Sequence, residues 1–143
     1  MTFTPLTDSV FVSPQISVQD VRAAHELGVT LIINNRPEGE ADDQVAGNVI
    51  EAAARAAGMN YVAIPVTHTG FSQPQVDAME QALDSALGSV LAYCRSGTRS
   101  TLLWALAESK SGVDPDELTE IAAEAGYDVS PVRPLMDMLK AQA

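Results

Sequence analysis

Apolar residues along this chain fall into short β-branched runs that alternate with longer stretches of helical spacing. Val10-Phe11-Val12 reads as a short strand, and Ser13-Pro14 as the turn that ends it. Ser17 with Asp20 three residues on predicts a helix start; the helix runs to about Leu27, and Gly28 closes it. Val29–Ile33 is an unbroken apolar run, the pattern of a strand buried on both faces. A polar loop over 34–43 follows. Gln44–Ala57 then reads as a helix with Val45, Val49, Ile50 and Ala53 on its apolar face and Gly58 as its stop. Tyr61–Ile64 is a third strand and 65–71 a loop. Ser72 and Gln75 form a second capping box, opening a helix to about Leu87 with Val76, Met79, Leu83 and Leu87 facing inward. Val90–Tyr93 is a fourth strand, and Thr101–Ala107 a helical pattern after a short polar turn. Asp114-Pro115 with Glu117 starts a helix to about Ala125, and Pro131–Lys140 carries the last one.

Strands alternating with helices predict an α/β protein built on a largely parallel sheet with helices on both faces. The length of 143 residues suits a single domain over 1–143. Ligands of such sheets bind beyond the carboxyl ends of the strands. Loop 34–43, loop 65–71 and the turn after Tyr93 all leave from carboxyl ends, so all three are expected at one crevice.

Charge sharpens that expectation. The chain has 19 Asp+Glu against 8 Lys+Arg, a formal charge of −11. Nucleic acid and anionic membranes are therefore poor partners, and an anionic ligand has to be captured locally against the overall field. One cysteine excludes an internal disulfide and fits a reducing compartment. The N-terminal residues show no basic-then-apolar leader, and no span is long enough for a membrane, so a cytoplasmic protein of bacterial type is expected.

The segment Tyr93-Cys94-Arg95-Ser96-Gly97-Thr98-Arg99-Ser100 concentrates the chemistry. It holds the only cysteine and two of the eight basic residues. A strand, a tight turn and a helix N-terminus bring backbone N–H groups together, which binds anions and stabilises a thiolate, the nucleophilic form of cysteine. Cys94 is the candidate nucleophile. Arg99 and the 95–98 segment (Arg95, Ser96, Gly97, Thr98) are the candidate anion site, with Ser100 placed to assist the thiolate as leaving group. Arg36, just past a strand's carboxyl end, faces the same crevice or pairs with Glu38 or Glu40. His25 reads as an exposed or capping residue, Trp104 as core, and the acidic face of Asp116, Glu117, Glu120 and Glu124 as solvated surface.

Two stretches, Leu31–Glu40 and Leu91–Ser100 with Trp104, resemble the hallmarks of the bacterial phosphatase-like domains called beta-lactamase-hydrolase-like proteins. Tyr61, Ile64, Pro65 and Val66 are similar to the strand end that precedes the catalytic loop of dual-specificity phosphatases. The resemblance covers roughly residues 10 to 110. It implies a phosphotyrosine-phosphatase-like α/β fold, with a mostly parallel sheet of about four to five strands flanked by helices. It also implies a cysteine-dependent hydrolase of protein-tyrosine or dual-specificity type, acting on a small phosphate ester with no cofactor and no metal. The Cys-Arg-Ser-Gly-Thr-Arg run itself resembles the active loop of rhodanese-type sulfurtransferases. This makes sulfur carriage as a Cys94 persulfide, from thiosulfate or a persulfide donor, the second reading, with a link to a metallo-beta-lactamase-type sulfur enzyme. A non-enzymatic module that binds anions or senses oxidants through Cys94 is the third.

Three departures from standard phosphatases stand out. Tyr93 sits where those enzymes usually have His. Arg99 falls five residues after Cys94 rather than six. The loop after Pro65, which in dual-specificity phosphatases supplies an aspartic general acid, reads Val66-Thr67-His68. His68 is the expected substitute, because an imidazole ordinarily titrates near neutrality. Glu38, Glu40 and Asp42 are the other candidates.

Overall fold

In a computed structural model of the chain, which describes residues 3–143, five strands form one sheet. In chain order the elements are β1 (Thr4–Pro5), β2 (Val10–Ser13), α1 (Val18–Glu26), β3 (Val29–Asn34), α2 (Gly47–Ala56), β4 (Asn60–Ala63), α3 (Gln73–Ser85), β5 (Ser89–Tyr93), α4 (Thr98–Lys110), α5 (Pro115–Glu124) and α6 (Arg133–Ala141), with a 3-10 turn at Ser130–Val132 before α6. The sheet order is β1-β2-β5-β3-β4. All neighbours are parallel except the edge pair β1–β2.

Side chains on a strand point alternately to opposite faces, and here both faces are covered. Val10, Val12, Leu31, Ile33, Val90 and Ala92 belong to a large core with α3, α4, α5 and α6. Val29, Ile32, Leu91 and Tyr93 belong to a second core on the other face, with Val21 and Ala24 of α1 and Ile50 and Ala54 of α2. Helix α4 lies deepest: its residues from Ser100 through Ala107 are all buried, including Trp104.

The register decides where function sits. Ser13, Tyr93, Asn34 and Ala63 are aligned across β2, β5, β3 and β4, each the last residue of its strand. The segments that leave these residues therefore meet at one edge.

Several boundaries differ from those the sequence pattern predicts. The short strand β1 has no counterpart in that pattern; two residues are too few to show a period. Helix α2 begins at Gly47 rather than Gln44, because the Gln44 side chain is tied to the loop: its amide donates to the Pro37 carbonyl and its oxygen accepts from the Glu40 N–H. On this helix Ile50 and Ala54 are buried, while Val49, expected on the apolar face, is 45% exposed. Helix α3 stops at Ser85, and Leu87, expected on its inner face, is 93% exposed. Helix α4 runs from Thr98, three residues ahead of the apolar pattern. The segment expected as one last helix is split between the 3-10 turn and α6. Both capping boxes, Ser17 with Asp20 and Ser72 with Gln75, form as expected.

Candidate active site

The crevice is built on Asn35. Its N–H donates to the Tyr93 carbonyl at 2.8 Å, its side-chain amide donates to the Ile64 carbonyl at 2.9 Å, and its carbonyl accepts from the Val66 N–H. Its side-chain oxygen accepts from Ser100 Oγ at 2.7 Å. One fully buried residue thus joins the ends of β3, β4 and β5 to the start of α4. A buried network of this kind is rigid only when every member is satisfied, and this one is.

Cys94 follows β5 and is fully buried. Its N–H donates to the Ser13 carbonyl, and its sulfur accepts from the Gly97 N–H at 3.1 Å. Gly97 caps α4 at φ +90, ψ −10, a left-handed conformation that glycine adopts without penalty. The chain therefore doubles back on the sulfur within three residues. The amides of Arg95 and Ser96 have no acceptor among the described residues, and the first-turn amides of α4 lack helical acceptors by construction. The Arg95 side chain is exposed, while its carbonyl accepts from the Gln15 N–H. Thr98 donates its N–H to Ser96 Oγ, and the two hydroxyls are 3.0 Å apart.

Arg99 makes three hydrogen bonds to two partners. Nη1 donates to Glu40 Oε2 and to the Val66 carbonyl, both at 2.7 Å, and Nη2 donates to Glu40 Oε1 at 2.9 Å. Nε–H and the second Nη2 hydrogen have no acceptor among the described residues, and they lie on the opposite edge of the guanidinium. Its pKa is raised first by the Glu40 hydrogen bonds and further by the nearby Cys94 sulfur. Arg36 is 5% exposed and does not reach Arg99 directly. It donates from Nε to Glu40 Oε1 and from Nη1 to Gln15 Oε1, both at 2.9 Å. Two arginines thus grip one carboxylate. Hydrogen bonding from Arg99 first, with Arg36 behind it, holds the Glu40 pKa down at about 2.

The acid candidates separate on this geometry. Glu40 is ionised and engaged, so it has no proton to give near neutrality. Glu38 turns the other way: both its oxygens accept from the Gly47 N–H, capping α2 in place of Ala46, which has no side chain able to do so. A Cβ at Gly47 would come within 2.7 Å of Glu38 Oε2 and 3.0 Å of the Tyr61 hydroxyl, so a larger residue there would displace the Glu38 cap. Asp42 is exposed and has no hydrogen bond among the described residues. His68 is exposed and lines a cleft of about 380 Å³ with Thr67, Pro37, Glu38, Gly39, Glu40 and Arg99. Ser100 is fully buried with its hydroxyl proton committed to Asn35. Tyr93 is buried too, its hydroxyl the one side-chain polar atom among the described residues that is enclosed without a partner; burial pushes its pKa far up.

Four participants carry no chemical signal of their own in the sequence. Gln15 follows Pro14 and Asn35 lies in the polar loop after β3, and neither amide has distinctive chemistry. The Val66 carbonyl belongs to the backbone. Tyr127, whose hydroxyl donates to the Ser96 carbonyl at 3.1 Å, lies 31 residues from the loop it touches.

The family described as "Beta-lactamase hydrolase-like protein, phosphatase-like domain" matches residues 2–111. A beta-lactamase hydrolase-like protein of Xylella fastidiosa (strain Temecula1) is 38% identical over 103 residues, 71% of this chain and 24% of that protein. The chain thus spans about a quarter of the length of this curated relative. A crystal structure from Neisseria meningitidis Z2491, assigned as a phosphatase, superposes with a TM-score of 0.83 at 31% identity, covering 97% of this chain and 99% of that one. PTPMT1 in complex with PI(5)P superposes at 0.75 with 16% identity, over 99% of each chain, a likeness of fold. This chain belongs to the family of phosphatase-like domains of beta-lactamase hydrolase-like proteins and has the phosphatase-like fold.

Proposed function

We propose that this chain hydrolyses small phosphate monoesters through a Cys94 thiolate. The observation that carries the reading is the Arg99 clamp. Glu40 occupies the Nη1–Nη2 edge of the guanidinium and leaves the Nε–Nη2 edge open, close to a sulfur that already accepts an N–H. An anion seated there takes two parallel hydrogen bonds from Arg99, a bidentate arrangement, and more from the amides of Arg95 and Ser96.

In this scheme the Cys94 thiolate attacks phosphorus. The bond to the ester oxygen breaks, and that oxygen takes a proton from the imidazolium of His68. The product alcohol leaves and a phosphocysteine remains. Water then attacks phosphorus, giving a proton back to His68; the P–S bond breaks and Cys94 departs as thiolate. Arg36 takes part through Glu40, which it holds against Arg99. The family membership and the fold shared with PTPMT1, a protein solved with a phosphoinositide, support a phosphate ester as substrate. The overall charge of −11 favours a small soluble ester over a membrane-borne one.

A second reading rests on the short loop. Only four residues separate Cys94 from Arg99, one fewer than wraps a phosphoryl group. In that reading the thiolate attacks the outer sulfur of thiosulfate, the S–S bond breaks, sulfite leaves, and Cys94 carries a persulfide.

One experiment tests both. Wild type and His68→Ala are assayed on aryl and alkyl phosphates, and on thiosulfate with cyanide, with the mass on Cys94 followed throughout. The expected result is a loss of about a hundredfold on alkyl phosphates and a much smaller one on aryl phosphates, since aryl oxides leave without help. Equal small losses on both would remove His68 from the mechanism. Thiocyanate release with a mass gain of one sulfur, and no phosphate release, would replace phosphatase by sulfurtransferase. No turnover of either kind would leave an anion-binding module.

A further inference from the structure

In a trans peptide the carbonyl and the N–H point in opposite directions. The Ser96–Gly97 peptide uses both. Its N–H meets Cys94 Sγ at 3.1 Å, and its carbonyl accepts from the Tyr127 hydroxyl at 3.1 Å on the far side. Apart from the bond to the sulfur itself, no hydrogen bond within the loop holds that plane. Gly97 tolerates the conformations on either side of a peptide flip. The other bonds made by Ser96 engage its side chain, not its carbonyl. A flipped peptide would turn a carbonyl oxygen toward the sulfur and withdraw the N–H.

Tyr127 is well placed to prevent this. It follows α5, its N–H donates to the Ala122 carbonyl at 2.9 Å, and its ring packs against the large core. It lies close to Gly97: a Cβ there would clash with the hydroxyl oxygen and come within 3.0 Å of Cζ. We propose that Tyr127 is a positioning residue that locks the Ser96–Gly97 peptide with its N–H on the Cys94 sulfur, so that a residue outside the loop sets the stability of the thiolate. Burial first, and the charge of Cys94 second, push the Tyr127 pKa up, which keeps the phenol a donor. The other titratable groups around the sulfur are Arg99 from α4 and, behind it, Glu40 from the loop after β3.

The inference rests on Cys94 working as a thiolate, and the test keeps the two apart. Cys94 is the only cysteine, so iodoacetamide uptake against pH reports it alone. Tyr127→Phe removes one oxygen and leaves the ring. The inflection in alkylation rate is expected below the free-thiol value of about 8.5 in wild type. It is expected about half a pH unit higher or more in Tyr127→Phe. The acidic limb of kcat for an aryl phosphate should move by the same amount with KM little changed, and exchange of the Gly97 amide should speed up. If the wild-type inflection is low and the variant coincides with it, Tyr127 is only a packing residue and the proposal falls while the thiolate reading stands. A lowered Tm without a shifted inflection would likewise reduce Tyr127 to a packing role. If wild type itself titrates as a free thiol, the thiolate reading falls, and the positioning role with it.

Discussion

The two ends of the parallel strands are lined with polar groups, yet they behave as opposites. At the carboxyl ends, Cys94, Arg99, Arg36 and Glu40 meet under the N-terminus of α4, and both arginines are paired with the one carboxylate. At the amino ends of β2 and β5, a cleft of about 280 Å³ is lined by Thr7, Ser9, Asp84, Trp104 and Glu108. The Glu108 carboxyl has no hydrogen bond among the described residues; burial first, then Asp84 and Glu80, push its pKa up. The contrast shows how a chain of charge −11 can build the proposed anion site. It does not raise the number of cations but places two arginines on one carboxylate where helix amides already point. The opposite end keeps the excess acid, at some cost to stability.

Removing Asn35 should break the ordered end most. Asn35→Ala leaves the Ile64 carbonyl and the Ser100 hydroxyl without their buried partner, and a loss of about 3 kcal/mol is expected. Urea melts measure it. A loss under about 1 kcal/mol would mean that the four segments hold together without the network.

A smaller effect comes from pH. Glu40 has its pKa depressed to about 2 from 4.5. A carboxylate with a depressed folded pKa contributes stability that is present above the unfolded value and lost as pH falls through the folded one. The Tm difference between wild type and Glu40→Gln should therefore be constant above 4.5 and shrink as pH falls toward 2. A gap that stayed flat across that window would show the triad to be loose in solution.

The smallest effect, of opposite sign, is expected at the other end. Glu108 has a raised pKa, so the fold disfavours its charged form at neutral pH. Glu108→Gln should stabilise by a few tenths of a kcal/mol near neutrality, with the gain fading as the wild-type carboxyl is protonated in acid. Destabilisation by this variant would give Glu108 a favourable partner and erase the contrast.

Much of this is legible in the linear chain, for a local reason. Ser17 with Asp20, Ser72 with Gln75, and the β-branched run from Val29 act within a turn or along one strand, so their spacing carries the information. The Cys94–Ser100 segment is of the same kind: strand, left-handed Gly97 and helix start are contiguous, and the convergence of backbone amides follows from order alone. Boundaries shift where a distant group intervenes. Gln44 is drawn out of its helix by Pro37 and Glu40, and Leu87 loses its inner face because α3 ends at Ser85.

The site's second layer has no sequence signature. Glu38, Glu40 and Asp42 are nearly equivalent acids in the chain. Three-dimensional packing makes one a helix cap, one a clamp on two arginines and one a solvated surface group. Tyr127 reaches the loop only because α5 returns over α4. By itself the sequence determined most of the elements, the parallel sheet and the loop proposed to carry the nucleophile, because these depend on periodicity and on neighbours in the chain. The tertiary structure alone decided which carboxylate meets Arg99 and which hydroxyl meets Ser96, because a hydrogen bond depends on ångström-scale distances between segments that the chain separates by tens of residues.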